Sequence, residues 1–164
     1  MINKAMQDAI NEQINKELFS SYLYLSMVAW FEDRNLPGFA HWMRLQEAEE
    51  REHAMKLYEH ILERGGRVEL KAIAVPKAEW ASPLQAFEEA AAHEAFISGS
   101  INSLYEAAVA EKDYPAQIML QWFIAEQVEE EKNAAEIVSW LKMVEAREGA
   151  VMQVDHRLGK RGAE

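Results

Sequence analysis

Apolar residues recur at alternating steps of three and four along four long stretches of the chain, which is the spacing of a helix with one buried face. These stretches cover residues 4–35, 38–64, 84–112 and 115–147, and a shorter one covers 149–158. Residues that interrupt helices lie between them, as at Pro37-Gly38, Gly65-Gly66 and Pro115. The pattern predicts an all-α chain with four long helices and a short fifth C-terminal helix.

The connections between the stretches predict the topology. Helices one and two are separated by two or three residues, as are helices three and four, so each pair is expected to form an antiparallel hairpin. The segment from Gly65 to Pro83 is long enough, at about 3.3 Å per residue, to run the length of a bundle. We therefore predict a four-helix bundle with one long crossover, as a single domain over 1–164.

Each predicted buried face is apolar at both ends and polar near its middle. The polar positions are Glu17, then Glu50 and His53, then Glu94, and finally Glu130. On the third helix the predicted face reads Leu84, Phe87, Ala91, Glu94, Ser98, Ile101 and Tyr105. The hairpin turns are expected near residues 36 and 113. Glu17 and Glu94 precede their turns by the same number of residues, and His53 and Glu130 follow their turns by the same number of residues. All four faces should therefore be polar at one level of the bundle.

Carboxylates buried together without a lysine or arginine would each cost several kcal/mol, and their mutual repulsion would add to that cost. One or two bound dications would remove it. Oxygen ligands with one imidazole favour iron, manganese or similar ions over structural zinc. Glu50 and His53, one turn apart, can reach one ion, and Glu50 is placed to bridge two; Gln46 and Gln127 could bind or orient ligands. The alternative is that these glutamates lie on solvated faces.

Composition narrows the classes of function. The chain has 17 Lys and Arg against 28 Asp and Glu, a net charge of −11, which argues against nucleic-acid and membrane partners and would attract cations. It has no cysteine, so disulfides, thiol chemistry and iron–sulfur clusters are excluded. No apolar segment of signal-peptide length opens the sequence, so we expect a cytoplasmic protein.

Several short motifs resemble those of a known family. Glu17, the run Glu50-Arg51-Glu52-His53, Glu94 and the run Gln127-Val128-Glu129-Glu130 are similar to the metal-site motifs of non-haem ferritins. The segments SSYLYL (20–25), HAMK (53–56), ERGG (63–66) and LQWF (120–123) resemble prokaryotic ferritins, and the similarity covers about residues 1–160. Arg51 occupies the position of the haem-ligating methionine of bacterioferritins, so no haem is expected. The resemblance implies a ferritin-like four-helix bundle with one long crossover.

The resemblance also implies a ferroxidase centre and its residues. Glu17, Glu50 and His53 would hold one iron; Glu50, Glu94 and Glu130 would hold the second, with Gln127 beside them. A third iron site would use Glu49, Glu126, Glu129 and Glu130. Tyr24 and Trp122 match aromatic residues near that centre, and plain core packing is the alternative for both. The implied reaction is oxidation of Fe²⁺ by O₂ or H₂O₂, followed by deposition of Fe³⁺ as a mineral inside a shell.

Assembly has support in the sequence as well. The stretch 18–31 is apolar nearly all round, which exceeds what one buried helix face needs and predicts a subunit interface. The family builds a homo-oligomeric shell of 24 subunits whose fifth helix lines the fourfold axes. The stripe Ala150, Val151, Val154 and Leu158 would pack there, unless the fifth helix folds back on its own bundle.

Three other functions remain open at this point. A dimetal enzyme with another substrate, such as a peroxidase or a manganese catalase, would form small oligomers without a mineral. An inert bundle would bind no metal, and its central glutamates would make it more stable at low pH. A lipid-binding bundle fits poorly with the negative charge.

Overall fold

The computed structural model describes residues 1–144 and 149–162. Within them the chain forms five helices: α1 (Lys4–Asp33), α2 (Pro37–Glu63), α3 (Pro83–Ala110), α4 (Tyr114–Val144) and α5 (Val151–Leu158). The all-α prediction is confirmed, and each predicted helix limit that can be compared is within two residues of the observed one. The predicted end of the fourth helix at 147 lies outside the described residues. The prediction of one domain over 1–164 extends over undescribed residues too and stays a prediction.

Local chemistry determines where the helices begin and end. Asn3 accepts a hydrogen bond from the Met6 N–H at the start of α1 (2.8 Å), and Ser82 does the same for Gln85 at the start of α3 (3.1 Å). α1 and α3 each end two residues before the predicted limit. Asn35 (φ 56°) and Lys112 (φ 53°) adopt the left-handed conformation there, which reverses the chain into the next helix.

The helices pack as two hairpins, α1 on α2 and α3 on α4, and the hairpins meet where α1 contacts α3. Every predicted face position of α1, α2 and α4 is buried. On α3 the prediction is wrong at four positions, because Leu84, Ala91, Ser98 and Tyr105 are half-buried. Their neighbours Ala90, Ile97 and Leu104 are buried instead. A helix has 3.6 residues per turn, so its buried face shifts gradually away from positions chosen by strict alternation of three and four residues. The buried face of α3 shows this shift.

The crossover, residues 64–82, follows α1 and is held by its polar side chains. Asn11 donates to the Arg67 carbonyl (3.1 Å) and accepts from the Glu69 N–H (2.9 Å) near one end. Ser26 donates to the Lys77 carbonyl (2.7 Å) near the other. These bonds satisfy backbone groups that have no helix or strand partner. The prediction of a single long crossover along the bundle is confirmed.

Two separate apolar clusters form the core. One, near the α1–α2 turn, contains Phe31 and Phe39 with ring centroids 5.1 Å apart. The other, at the opposite end of the bundle, contains Ile10, Ile61 and Leu120. Burial of apolar area in both clusters supplies the main favourable free energy of folding. A layer of polar side chains separates them.

Helix α5 docks on its own bundle. The Asp155 carboxylate accepts from the N–H groups of Gly38 (2.8 Å) and Phe39 (3.0 Å), and so caps the start of α2. Val154 and Leu158 are buried in the cluster near the α1–α2 turn, and Val151 packs against it. The apolar stripe of the fifth helix therefore packs largely on this chain's own bundle, as the alternative interpretation predicted; its place at a fourfold axis stays a prediction. No helix in 1–144 or 149–162 is long and apolar enough to cross a bilayer.

We predict opposite effects for alanine at two glycines. A Cβ at Gly38 would lie 1.7 Å from the Asp155 carbonyl oxygen, so Gly38→Ala should displace α5 and lower the free energy of unfolding by about 1–3 kcal/mol. A Cβ at Gly99, within α3, meets no atom within 4 Å, so Gly99→Ala should raise it by about 0.5–1 kcal/mol. Denaturant unfolding and hydrogen exchange of α5 measure both. Unchanged exchange of α5 in Gly38→Ala would contradict the docking contact.

Candidate metal centre

Three ionisable side chains meet in the polar layer between the apolar clusters. Glu17 comes from α1, and Glu50 and His53 come from the inward face of α2, one turn apart. One potential ligand atom from each lies within 4.8 Å of the others, and the three residues are no more than 5% exposed. The His53 Nδ1 is 3.5 Å from the Glu50 Oε2. Two carboxylates and an imidazole are thus held at cation-binding distance.

The opposite hairpin adds two further buried carboxylates. Glu94 of α3 accepts hydrogen bonds from the Tyr24 hydroxyl and from the Gln127 amide (3.1 Å). Glu130 of α4 accepts from the Gln46 amide (2.8 Å). Each of these glutamates therefore has a neutral donor that orients it. Within the described residues, the compact group that could hold a cation consists of Glu17, Glu50 and His53, so Glu94 and Glu130 lie in the same layer but outside that group.

Three carboxylate oxygens in this layer accept no hydrogen bond from an amide, a hydroxyl or a cationic group of the described residues. They are the Glu17 Oε2 and both oxygens of Glu50, and all three are buried. Among the described residues, no lysine or arginine hydrogen-bonds Glu17, Glu50, Glu94 or Glu130. A buried polar atom without a partner costs about 1–3 kcal/mol, and more when it is charged. A cation is the partner that this arrangement lacks, and the residues present fit one.

Burial changes the acidity of the whole layer. It is the main cause that raises the pKa of Glu17 to about 8, with a smaller contribution from the Glu50 charge. Burial raises the pKa of Glu130 to about 7, and the Gln46 hydrogen bond partly offsets the rise. The pKa values of Glu50 and Glu94 are raised for the same first reason. Burial therefore makes these carboxyl groups release their protons at a higher pH than ordinary glutamates do.

A surface cavity of about 290 Å³ lies beside the layer. It is lined by His53 and by the four residues of the predicted third site: Glu49, Glu126, Glu129 and Glu130. Glu49 and Glu126 are half-buried, and Glu129 is exposed. Trp122 also lines this cavity, with its ring edge-on to His53 at a centroid distance of 5.4 Å. The structure thus places the third-site residues together, next to the inner carboxylates and open to solvent.

Two polar residues at this site were not found from the sequence. Gln13 donates to the Glu17 Oε1 (2.8 Å), and its position one turn before Glu17 on α1 was a usable signal. Arg161 donates to the Glu49 carboxylate (2.7 Å) and to the Gln46 amide oxygen (2.5 Å). Nothing in the sequence around Arg161 indicates these contacts, because they depend on how α5 docks.

The comparison with known proteins decides the family. A family model described as a ferritin-like domain matches residues 7–144. The chain belongs to the ferritin family. The family prediction made from the motifs is confirmed, and membership supports a role in iron storage.

Relatives and solved ferritins are similar over nearly the whole chain. A bacterial non-heme ferritin of Bacteroides fragilis is 42% identical over 161 residues, 98% of this chain and 100% of the relative. One from Staphylococcus aureus is 32% identical over 98% of this chain and 97% of the relative. The crystal structure of an open-pore ferritin from Archaeoglobus fulgidus is 46% identical and covers 98% of each chain, with a TM-score of 0.96. The ferritin-like fold is therefore confirmed.

We predict that the metal-free ferritin chain loses stability as pH rises from 4.5 to 8. Glu17 has a pKa of about 8 in the folded chain and an ordinary value of 4.5, so across this range the folded state binds a proton that the unfolded state has released. Glu17→Gln should remove this contribution, which has a slope of at most about 1.4 kcal/mol per pH unit. Denaturant unfolding of the metal-free protein at four pH values measures it. Parallel curves for Glu17→Gln and wild type would contradict the prediction; exposed Glu106→Gln is the control.

Proposed function

We propose that this ferritin stores and detoxifies iron in the cytoplasm by oxidising Fe²⁺ at a di-iron ferroxidase centre inside the bundle. Fe²⁺ is the substrate, O₂ or H₂O₂ is the oxidant, and Fe³⁺ is deposited as a mineral within a protein shell. Haem takes no part. The observation that carries the proposal is the set of three buried carboxylate oxygens, on Glu17 and Glu50, for which the described part of the chain offers no amide, hydroxyl or cationic donor.

The buried side chains divide into two ligand sets. Glu17, His53 and one Glu50 oxygen would bind the first iron. Glu94, Glu130 and the other Glu50 oxygen would bind the second. Glu50 is suited to bridge because both of its oxygens lack a partner, whereas Glu94 and Glu130 are oriented by Gln127 and Gln46. Gln127 and Tyr24 would hold Glu94 in position, and Gln13 would hold Glu17.

The proposed reaction uses two Fe²⁺ ions at one site as one-electron donors. Two Fe²⁺ ions give one electron each to a single oxidant; with H₂O₂ and two protons the products are two Fe³⁺ and two water molecules. Hard anionic oxygen ligands stabilise Fe³⁺ more than Fe²⁺, which favours the oxidation. The Tyr24 hydroxyl donates to Glu94, so it would lie close to an ion that this carboxylate binds.

We place the third iron site in the adjoining cavity of about 290 Å³. Glu130 faces both the buried layer and this cavity, so it can contribute to the second and the third ion. Glu49, Glu126 and Glu129 would complete the third site. Their carboxylates are more exposed to solvent than those of the two inner iron sites. A weaker outer site next to a buried pair gives Fe³⁺ a route out of the bundle.

The proposal includes assembly into a homo-oligomeric shell of 24 subunits, as the ferritin family builds. On α1, a row of apolar side chains faces away from the chain's own core; Tyr22 and Leu25 in this row are 47% and 42% exposed. The row lies within 18–31, the stretch whose apolar composition predicts an interface. An apolar helix face of this length is the kind of surface that a second copy of the chain covers.

The centre is tested by removing its bridging carboxylate and its imidazole. Glu50→Ala combined with His53→Ala should lower the rate of aerobic Fe²⁺ oxidation by more than about 100-fold, beyond the loss typical of a residue that only supports a ligand. Stopped-flow absorbance of ferric products measures the rate, and circular dichroism checks that the helices remain.

A matched control lies on the same helix. Glu59→Ala combined with His60→Ala removes the same two residue types outside the buried layer and should leave the rate near wild type. If the Glu50/His53 variant oxidises Fe²⁺ as fast as this control, the proposed centre is wrong.

Storage is tested by aerobic loading with Fe²⁺ followed by size-exclusion chromatography, with iron and protein quantified in each fraction. We expect many iron atoms per chain to co-elute with a large assembly. About two iron atoms per chain on a small species would instead indicate a dimetal enzyme with another substrate. No retained iron would indicate an inert bundle.

A further inference from the structure

Arg161 lies over the outer part of the metal centre. Its guanidinium donates to both oxygens of Glu49, at 2.7 and 3.0 Å, and to the Gln46 amide oxygen at 2.5 Å. Gln46 in turn donates to Glu130 at 2.8 Å. A cationic side chain from beyond the last helix thus contacts one residue of the third site directly and reaches a second through one amide.

The position of Arg161 is built into the fold. Asp155 caps α2, which brings the end of α5 alongside that helix. The Arg161 carbonyl oxygen is 2.9 Å from the His41 Nε2, and the guanidinium lies over the Trp42 ring, 4.9 Å from its centroid. The Arg161 side chain is 24% exposed, against 40% for Glu49. Contacts to a histidine, an aromatic ring and a carboxylate therefore hold Arg161 in this position.

We propose that Arg161 is a competitor, within the chain itself, for the cation bound at the third site. This inference rests on the proposed function, because it concerns the site that Glu49, Glu126, Glu129 and Glu130 would form. The guanidinium neutralises Glu49 while the cavity holds no ion. A metal ion that coordinates Glu49 competes with the guanidinium for the charge and the lone pairs of the same two carboxylate oxygens.

Displacement requires movement of the side chain alone. The bond between the Arg161 carbonyl and His41 and the burial of Val154 and Leu158 do not involve the guanidinium, so α5 stays docked when the side chain leaves. The ion pair also lowers the affinity of the outer site relative to the inner one, because no arginine of the described residues hydrogen-bonds Glu17, Glu50, Glu94 or Glu130 directly. Arg161 is therefore a positioning residue that makes the inner pair fill first and keeps the third ion easy to release.

The test uses Tb³⁺ as a redox-inactive, oxygen-seeking probe on the intact iron-free protein, followed by tryptophan-sensitised luminescence. Glu129→Gln identifies the third-site component, because it should lose that Tb³⁺ ion. Arg161→Gln should bind the same ion roughly three- to tenfold more tightly than wild type, the range that loss of a partly exposed ion pair supports. Its thermal midpoint should stay within a few degrees of wild type, since the α5 contacts remain.

Arg157→Gln is the matched control. It removes one positive charge from α5, but its guanidinium lies over the Trp140 ring, 3.8 Å from the centroid, and makes no ion pair within the described residues. It should bind Tb³⁺ as wild type does. Equal affinities for wild type and Arg161→Gln, or an equal gain in Arg157→Gln, would overturn the competition.

A second comparison separates this inference from the proposed function. In a Glu49→Gln background, Arg161→Gln should raise the affinity by a clearly smaller factor, because the ion pair is already broken and only the contact through Gln46 is left. If Glu129→Gln loses no Tb³⁺, the third site and its competitor both fail. The inner di-iron centre is judged independently by the Glu50/His53 variant.

Discussion

The structure depends on one electrostatic constraint: four glutamates are buried in a single layer, and no lysine or arginine in the described part of the chain hydrogen-bonds them. Burial alone would favour their neutral forms, which is why the pKa of Glu17 rises to about 8. Gln13, Gln46, Gln127 and Tyr24 supply donors for some of the oxygens but bring no positive charge. The same burial that makes the layer costly for the fold is what suits it to hold the proposed cations.

The two apolar clusters make this constraint tolerable. Each lies on one side of the polar layer, one at the α1–α2 turn with α5 and one at the opposite end. Helices of 27 to 31 residues are long enough to cross both clusters and the layer between them. The clusters fix the distances between the helices. They thereby hold the buried glutamates in positions that the polar layer, with its mutual repulsion, could not maintain alone. This arrangement is pre-organisation of a charged site by the apolar parts of the fold.

Most of the fold was predictable from the sequence because helix periodicity and turn residues are local signals. Counting from the two turns was enough to bring Glu17, His53, Glu94 and Glu130 to one level. The register of α3 was less predictable, since Ala90 and Ala91 are both small and apolar and composition does not choose between them. Arg161 could not be found at all, because its contacts depend on the docking of α5 through Asp155 and Gly38. Local sequence patterns predict the helices and the level of each polar residue along the bundle. Contacts that depend on how one helix docks on another can be found only from the structure.

Asp155 has a consequence for how the chain is divided into parts. The residue before α2, Leu36, offers no side-chain cap, and the free N–H groups at Gly38 and Phe39 are satisfied by a carboxylate that arrives more than a hundred residues later. Helix α2 carries Glu50 and His53, so the last helix described completes the element that holds two residues of the candidate metal centre. Truncation before α5 would thus leave the four long helices in the sequence but remove the N-terminal cap of the second. The short C-terminal helix is part of the bundle rather than an appendage to it.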